Sequence, residues 1–568
     1  MKLPLKDIIN EQIHNHNILI LSITSEHILG LDNLPLHHKD PFDRLLISQA
    51  SLEDAILISC DSVFNKYLTK CNYFMLFSYI IHFYFSMKNL GGSIKSLRNF
   101  MRKDPGVSGD GQRIEQLGWL LFLKILDASD RELELIKDDF ISPIPEHLRW
   151  CNWAVSEKGM TNDKKSLTGD ELRDFIDKDL FPTLRNLDTS AGNKRTIIIK
   201  EIFQGTNNYM KNGTIIRQVL NNLNEIDFES SEDRHLFGDI YETILRELQT
   251  AGAYGEFYTP RALTEFMTEM VNPMLGETVL DPACGTGGFL TCAINHLRLQ
   301  GVDNVRDLQT LEKTIKGMEF KPLPFMLAVT NLFLHDIEVP NIEYTDSLNQ
   351  EYTAIGNKDR VDVILANPPF GASVTDGVED NFPMNYRTTE SADLFLLLMV
   401  RYLHDGGRAA IVLPDGSLTG DGVKARIRQH LLESCNLHTI VRLPNSVFQP
   451  YASVATNLLF FTKGEPTKEI WFWEHQLPEG VKAYSKTKPI HKNEFQSLKQ
   501  WWNKREEGKQ AWRVSFEELE KNGFNLDVKN PHVAEVERGY SSVELLGMLH
   551  DSLRKSDELL DIIRNQLS

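Results

Sequence analysis

Residues Asn367-Pro368-Pro369-Phe370 close an apolar run, Val361-Asp362-Val363-Ile364-Leu365-Ala366. Chemistry at a planar exocyclic amine needs acceptors for its N–H bonds, and this turn carries two, the Asn367 side-chain oxygen and the Pro368 carbonyl. The prolines fix the turn and keep those oxygens pointed outward. Drawing on the N–H bonds leaves the nitrogen lone pair free for in-line attack on a sulfonium methyl. Such a transfer needs positioning and preorganised dipoles rather than a strong base. Phe370 adds a ring face on which a base flipped out of a duplex can stack.

A second turn upstream explains where the methyl group would come from. Asp281-Pro282-Ala283-Cys284-Gly285-Thr286-Gly287-Gly288-Phe289 follows the short apolar stretch Thr278-Val279-Leu280. Gly285, Gly287 and Gly288 permit a tight strand-to-helix turn and close approach by a ligand. The turn lacks the Gly-Lys-Ser/Thr of a phosphate loop and the spacing of a dinucleotide fingerprint. Glu319 ends a second predicted strand, where a carboxylate suits a ribose diol. Asp346, after Ile342-Glu343-Tyr344-Thr345, is placed to accept an adenine amino group. Together these describe methyl transfer from S-adenosylmethionine to an exocyclic amine, with adenine N6 in DNA as the acceptor that fits.

The elements needed to hold those turns can be read around them. Thr259-Pro260 predicts a helix start, with Thr at N-cap and Pro at N1, and a helix over 262–270. Further strands are expected at Arg408–Pro414, Thr439–Leu443 and Asn457–Thr462, with an apolar helix from Asp393 to Tyr402. The expected fold is α/β, a mostly parallel Rossmann-like sheet covered by helices. A helical region precedes it. Ile94, Leu97 and Met101 share one face, Ile114, Leu117, Leu121 and Ile125 another, and Leu236, Ile240, Ile244 and Leu248 a third. Gly118 inside the second helix is unfavourable by about 1 kcal/mol relative to alanine. Near the carboxyl terminus, Leu545, Leu546, Leu549, Leu553, Leu560 and Ile563 make a stripe on a helix from Val543 to Leu567, suited to packing on a partner or on its own core.

The chain has 568 residues, 41% apolar and 25% charged, with net charge −18. That length predicts two or three domains. The acidic balance argues against tight DNA binding by this chain alone, since phosphates must be neutralised by a basic face, and so predicts a partner that supplies DNA contacts. The six cysteines form no C-x-x-C pair, which fits a reducing cytoplasm and no metal site. The apolar segment 72–86 is shorter than the roughly 20 residues of a membrane span, so no membrane association is expected.

The segment Leu34 to Ala50, followed by Ala55 to Asp61, resembles the carboxyl-terminal half of PIN-domain toxin nucleases. In that family, carboxylates at the positions of Asp43 and Asp61 help hold a divalent metal. The family's first strand with its leading aspartate is missing, and a partial ligand set builds no metal site, so an inactive remnant is expected. Met87 begins a sequence that reads as a protein start, which predicts a fusion or a misassigned start codon. The expected division is 1–70 PIN-like remnant, 71–86 apolar spacer, 87–230 helical domain, 231–470 catalytic domain and 471–568 carboxyl-terminal region with a partner-binding helix.

From Met87 onward the chain resembles the modification subunit of type I restriction–modification systems. The resemblance is carried, in family order, by MRKDPGVSGDGQRIEQL, GEFYTPR, DPACGTGGFL, TDSL and ANPPFG. It implies a site-specific DNA adenine N6-methyltransferase that uses S-adenosylmethionine, protects host DNA from restriction and acts in the cytoplasm. It implies that the cofactor is held by Glu256, Phe257, Tyr258, Thr259, Pro260, Arg261, Asp281, Gly285, Thr286, Gly287, Gly288, Glu319 and Asp346. Asn367, Pro368, Pro369 and Phe370 would hold the adenine. The family's partners are double-stranded DNA, one specificity subunit bound by two modification subunits, and a restriction subunit.

Three other readings share some of these features. A protein-glutamine N-methyltransferase uses a similar Asn-Pro-Pro-aromatic turn on an amide, but its family lacks this helical region. A catalytically silent complex subunit would not need both complete turns. A nuclease would rest on the 34–61 segment alone.

Overall fold

The computed structural model describes residues 101–155, 166–225, 259–302, 304–371, 373–449, 454–485 and 488–532. It also describes residue 241, scattered positions before 101 (24, 28–29, 34, 41–52, 97, 99 and 100), and 546–558 apart from 548 and 557. The predicted stripe over 236–248, except for Tyr241, lies outside the described residues, as do Asp61 and the apolar segment 72–86. Among the described residues no helix is long and apolar enough to cross a membrane.

In chain order, the elements that build and support the site are α1 (Asp110–Ile136), α2 (Lys194–Gly205), α3 (Arg261–Val271), β1 (Val279–Asp281), α4 (Gly288–Leu299), β2 (Ile315–Glu319), α5 (Pro322–Leu334), β3 (Ile342–Tyr344), β4 (Val361–Ala366), α6 (Ser391–Tyr402), β5 (Leu403–Pro414), α7 (Val423–Ser434), β6 (Cys435–Arg442), β7 (Thr456–Lys463), β8 (Glu469–Glu474) and β9 (Ala511–Ser515). The strands form one sheet in the order β3-β2-β1-β4-β5-β7-β6-β8-β9. Strands β3, β2, β1, β4 and β5 run parallel, and β7 is antiparallel to both β5 and β6. The last pair, β8 and β9, extends the sheet beyond β6.

Burial on both faces explains the near-continuous apolar runs. Every residue of β4 except Asp362 is buried, as expected for a parallel strand covered by helices on each side. The helix α5 is buried from Leu323 to Leu334 on every face, which accounts for its lack of an amphipathic pattern. Pro322 opens it at the first helical position, where a missing N–H costs nothing.

The chain divides into two compact units. One comprises Met1–Ser108, Cys151–Asp174 and Met210–Ile244. Within it, the Asp104 carboxylate accepts from the Lys211 and Asn212 amides, each at 2.9 Å. The buried Arg217 guanidinium donates to the carbonyls of Trp153, Ala154 and Leu167. Leu97 and Met101 are buried, as their shared face predicted. The other unit comprises Gly109–Trp150, Phe175–Tyr209 and Leu245–Ser568 and holds the whole sheet.

Helices α1 and α2 therefore belong with the sheet, where both pack on α5. Ile114, Leu117, Leu121 and Ile125 of α1 are all buried. Gly118 has a packing reason: a Cβ there would meet Met326 Cε at 2.6 Å. Gly205, at the end of α2, is tighter, because an added Cβ would fall onto the Pro322 ring. A proline ring fixed to the backbone at the helix start cannot swing aside. Gly205→Ala is predicted to lower stability by about 1–3 kcal/mol through overpacking, seen as a reduced thermal midpoint; an unchanged midpoint would contradict this packing.

Candidate active site

The strand order reverses its direction of winding between β1 and β4, and in open α/β sheets ligands bind outside the carboxyl ends of the strands at such a switch. Both sequence turns sit there. The glycine turn leaves β1 after Asp281, and the Asn-Pro-Pro-Phe turn leaves β4 after Ala366. The two strands are paired directly, Leu280 beside Ile364.

The glycine turn is tied to its neighbours by backbone donors and buried acids. Asp281 Oδ1 accepts from the Ala283 amide at 3.1 Å. Glu319, at the end of β2, accepts from the Gly285 amide at 3.0 Å and from the Lys321 amide at 2.8 Å. Asn331 donates to the Thr286 carbonyl at 3.1 Å. Gly287 has φ +80° and directly precedes α4, whose first residue is Gly288; a side chain would be strained there. Ser347, after β3, donates its hydroxyl proton to the Pro282 carbonyl. Asp346 is half-buried and accepts from the Leu348 amide at 3.0 Å. Glu319 lies opposite Tyr344 in the β2–β3 pairing, so the ends of β1, β2 and β3 line one side of the crevice.

At the other side, Asn367 Nδ2 donates to Thr259 Oγ1 at 2.9 Å. Asn367 Oδ1 is buried and has no hydrogen-bond partner among the described residues. Ser391, the first residue of α6, donates to the Pro369 carbonyl at 2.6 Å. The Phe370 ring meets Phe448 edge to face, with centroids 5.9 Å apart and planes at 78°.

Thr259 therefore serves differently from the sequence expectation. Pro260 stands at N-cap of α3 and no side chain caps that helix; the Thr259 hydroxyl faces Asn367 instead. Arg261 donates to Thr291 Oγ1 at 2.9 Å, bracing α3 against α4. Glu256, Phe257 and Tyr258 lie outside the described residues. The sequence reading missed three residues at the crevice. Phe320 is half exposed (50%) immediately after Glu319, and an exposed aromatic next to a strand-end acid was its signal. Phe448 and Ser391 had no local signal, because only the fold brings them to the catalytic turn.

Electrostatically, the crevice holds two buried carboxylates. Burial drives the Asp281 carboxyl well above the usual range, and the Glu319 charge adds to this. Burial also pushes Glu319 up to about 7, against the opposing hydrogen bonds from the Lys321 and Gly285 amides. The Cys284 thiol is pushed up by burial and by both acids, which keeps it an unreactive thiol.

A model of the N-6 DNA Methylase family matches residues 232–539, and one of the HsdM N-terminal domain matches residues 90–223. The chain is 51% identical over 488 residues to the type I restriction enzyme EcoEI methylase subunit of Escherichia coli, covering 84% of this chain and 97% of that protein. The chain belongs to the type I restriction enzyme methylase subunits. It is an N6-adenine DNA methyltransferase, the modification subunit of a type I restriction–modification system. Among solved structures, a modification subunit from Vibrio vulnificus YJ016 is similar with TM-score 0.71 and 43% identity, covering 80% of this chain and 98% of that one. A chain from a structure of type I restriction–modification complex assembly is similar with TM-score 0.70 and 34% identity, covering 84% and 98%. The fold is that of the methylase subunits, and the family uses S-adenosylmethionine.

A raised acid gives a signed expectation. The carboxylate form of Glu319 suits a ribose diol, and it is the form that gains as pH rises through about 7. If Glu319 holds the ribose diol as the sequence expects, affinity for S-adenosylmethionine strengthens across that range and loses this dependence in Glu319→Gln. The same raised value means that Glu319 contributes less to folding stability as pH climbs from its ordinary range to about 7, because ionising a buried acid is unfavourable. Titration calorimetry at several pH values measures the first effect; a flat profile in the parent protein would contradict it.

Proposed function

We propose that the crevice binds S-adenosylmethionine between the glycine turn and the ends of β2 and β3, and that Asn367 and Pro368 receive the amino group of a flipped adenine. The residues present fit such a cofactor. Glu319 retains lone pairs for a ribose diol, Phe320 offers a ring face for a purine, and Gly287 allows close approach to the start of α4. The bound cofactor supplies an electrophilic methyl group. The protein's part is to hold the amine in line with it, with Asn367 Oδ1 and the Pro368 carbonyl drawing on the two N–H bonds. Phe370 and Phe448 would hold the base by stacking and edge contact.

The observation that carries this reading is the buried Asn367 Oδ1, which has no hydrogen-bond partner among the described residues. A buried acceptor left unsatisfied is costly, and an amino hydrogen of the substrate would satisfy it. Asn367→Ala in the assembled complex is expected to lower kcat by about 10²–10³-fold, the usual cost of losing one preorganised hydrogen-bonding group, while S-adenosylmethionine still binds. Retained turnover would remove Asn367 from the mechanism.

The net charge of −18 supports a division of labour, in which a specificity subunit reads the DNA and two methylase subunits flank it, with a restriction subunit joining the same complex in the cytoplasm. The helix at 546–558 supports a docking role, because Leu546, Leu549 and Leu553 are 63%, 57% and 57% exposed. Replacing these three leucines with serine is expected to abolish site-specific methylation and co-purification of the specificity subunit while cofactor binding persists. Normal assembly of that variant would place the docking surface elsewhere. Within the chain, the proposed order is a PIN-like remnant without nuclease activity over 1–70, then spacer, helical, catalytic and carboxyl-terminal regions.

A further inference from the structure

An asparagine amide presents an acceptor at one end and a donor at the other, and the two ends are nearly the same size. Only the oxygen end suits an amine that offers N–H bonds; the opposite orientation would set donor against donor. The amide must therefore be held in place while the amine reacts. Its Nδ2 donates to Thr259 Oγ1 at 2.9 Å, and its Oδ1 is the end left without a partner among the described residues. On the other side of the turn, the buried Ser391 hydroxyl donates to the Pro369 carbonyl at 2.6 Å. The two hydroxyls come from residues 108 positions upstream and 22 positions downstream of their partners, from the segment entering α3 and from the first turn of α6.

We propose that Thr259 and Ser391 are positioning residues for methyl transfer: Thr259 anchors the Asn367 amide by the hydrogen bond at its nitrogen end, and Ser391 holds the Pro369 peptide from which Phe370 projects. This rests on the reading of Asn367 as the amine's acceptor. It gives Thr259 a task beyond cofactor contact, the role that its GEFYTPR segment implied. Thr259→Val keeps the side-chain volume but cannot accept a hydrogen bond, so it frees the amide to turn. Ser391→Ala loosens the turn without touching the amide.

The two roles of Thr259 separate in kinetics. A cofactor contact alone affects S-adenosylmethionine affinity, whereas the placement of the Asn367 amide affects the chemical step. The test uses the complex of methylase and specificity subunits on a DNA duplex carrying its site, with calorimetric S-adenosylmethionine affinity and single-turnover rates at saturating cofactor. Thr259→Val is expected to slow the single-turnover rate at saturating cofactor by about ten- to a hundredfold, within the range for a misplaced reacting group, whatever the change in cofactor affinity. Ser391→Ala is expected to slow the same step less, and Thr259→Ser, which keeps the hydroxyl, to recover most of the rate. Calorimetric binding in each variant also shows that it is folded. A Thr259→Val loss that disappears at saturating cofactor overturns the proposal, as does an unchanged rate. Asn367→Ala, run in parallel, separates the failures: an active Asn367→Ala removes the underlying reading, whereas an inactive one beside an unaffected Thr259→Val removes only the positioning role.

Discussion

A buried amide oxygen without a partner is unfavourable by roughly 1–3 kcal/mol, and among the described residues Asn367 Oδ1 is left in that state at the end of β4. Such a group would collapse onto a neighbouring donor unless it were held away from one. The surrounding structure supplies that restraint. Two prolines stiffen the turn, the Thr259 hydroxyl occupies the other end of the amide, and Ser391 ties down the Pro369 carbonyl. The buried strand pair β1–β4 then sets the distance between this turn and the glycine turn that faces it.

The sheet makes the restraint affordable in physical terms, since β4 lies between β1 and β5 with buried residues along both faces. Close-packed interiors transmit small displacements rather than absorb them. Packing of α1 and α2 against α5 extends this rigid support outward from the sheet. Helical segments distant in sequence thus stiffen the β1–β2 side, where the buried acids Asp281 and Glu319 lie.

Much of this was legible in the sequence because the turns have their own chemistry. Prolines after an apolar strand, and glycines between a strand and a helix, announce their geometry locally. The strands at 408–414, 439–443 and 457–462 were legible from short apolar runs, and all three appear as β5, β6 and β7. The strands β8 and β9 were not, because Ile470-Trp471-Phe472-Trp473 is a short apolar run without alternation and in Ala511-Trp512-Arg513-Val514 the run is shorter still. The side chains that restrain the catalytic turn were also hidden. Thr259 read as a helix cap because Thr before Pro is a common N-terminus, and no local pattern shows that its hydroxyl meets a residue beyond the glycine turn. Phe448 is one of 30 phenylalanines, and only the approach of the segment after β6 to Phe370 sets it apart.

The most direct test of the central claim is a high-resolution structure of the complex with specificity subunit, target duplex and a non-reactive analogue of S-adenosylmethionine. The account predicts a flipped adenine whose N6 lies within hydrogen-bond distance, about 2.7–3.2 Å, of Asn367 Oδ1, with Asn367 Nδ2 still on Thr259. An adenine amino group that meets neither Asn367 nor Pro368, or an Asn367 amide turned with its nitrogen toward the base, would contradict it.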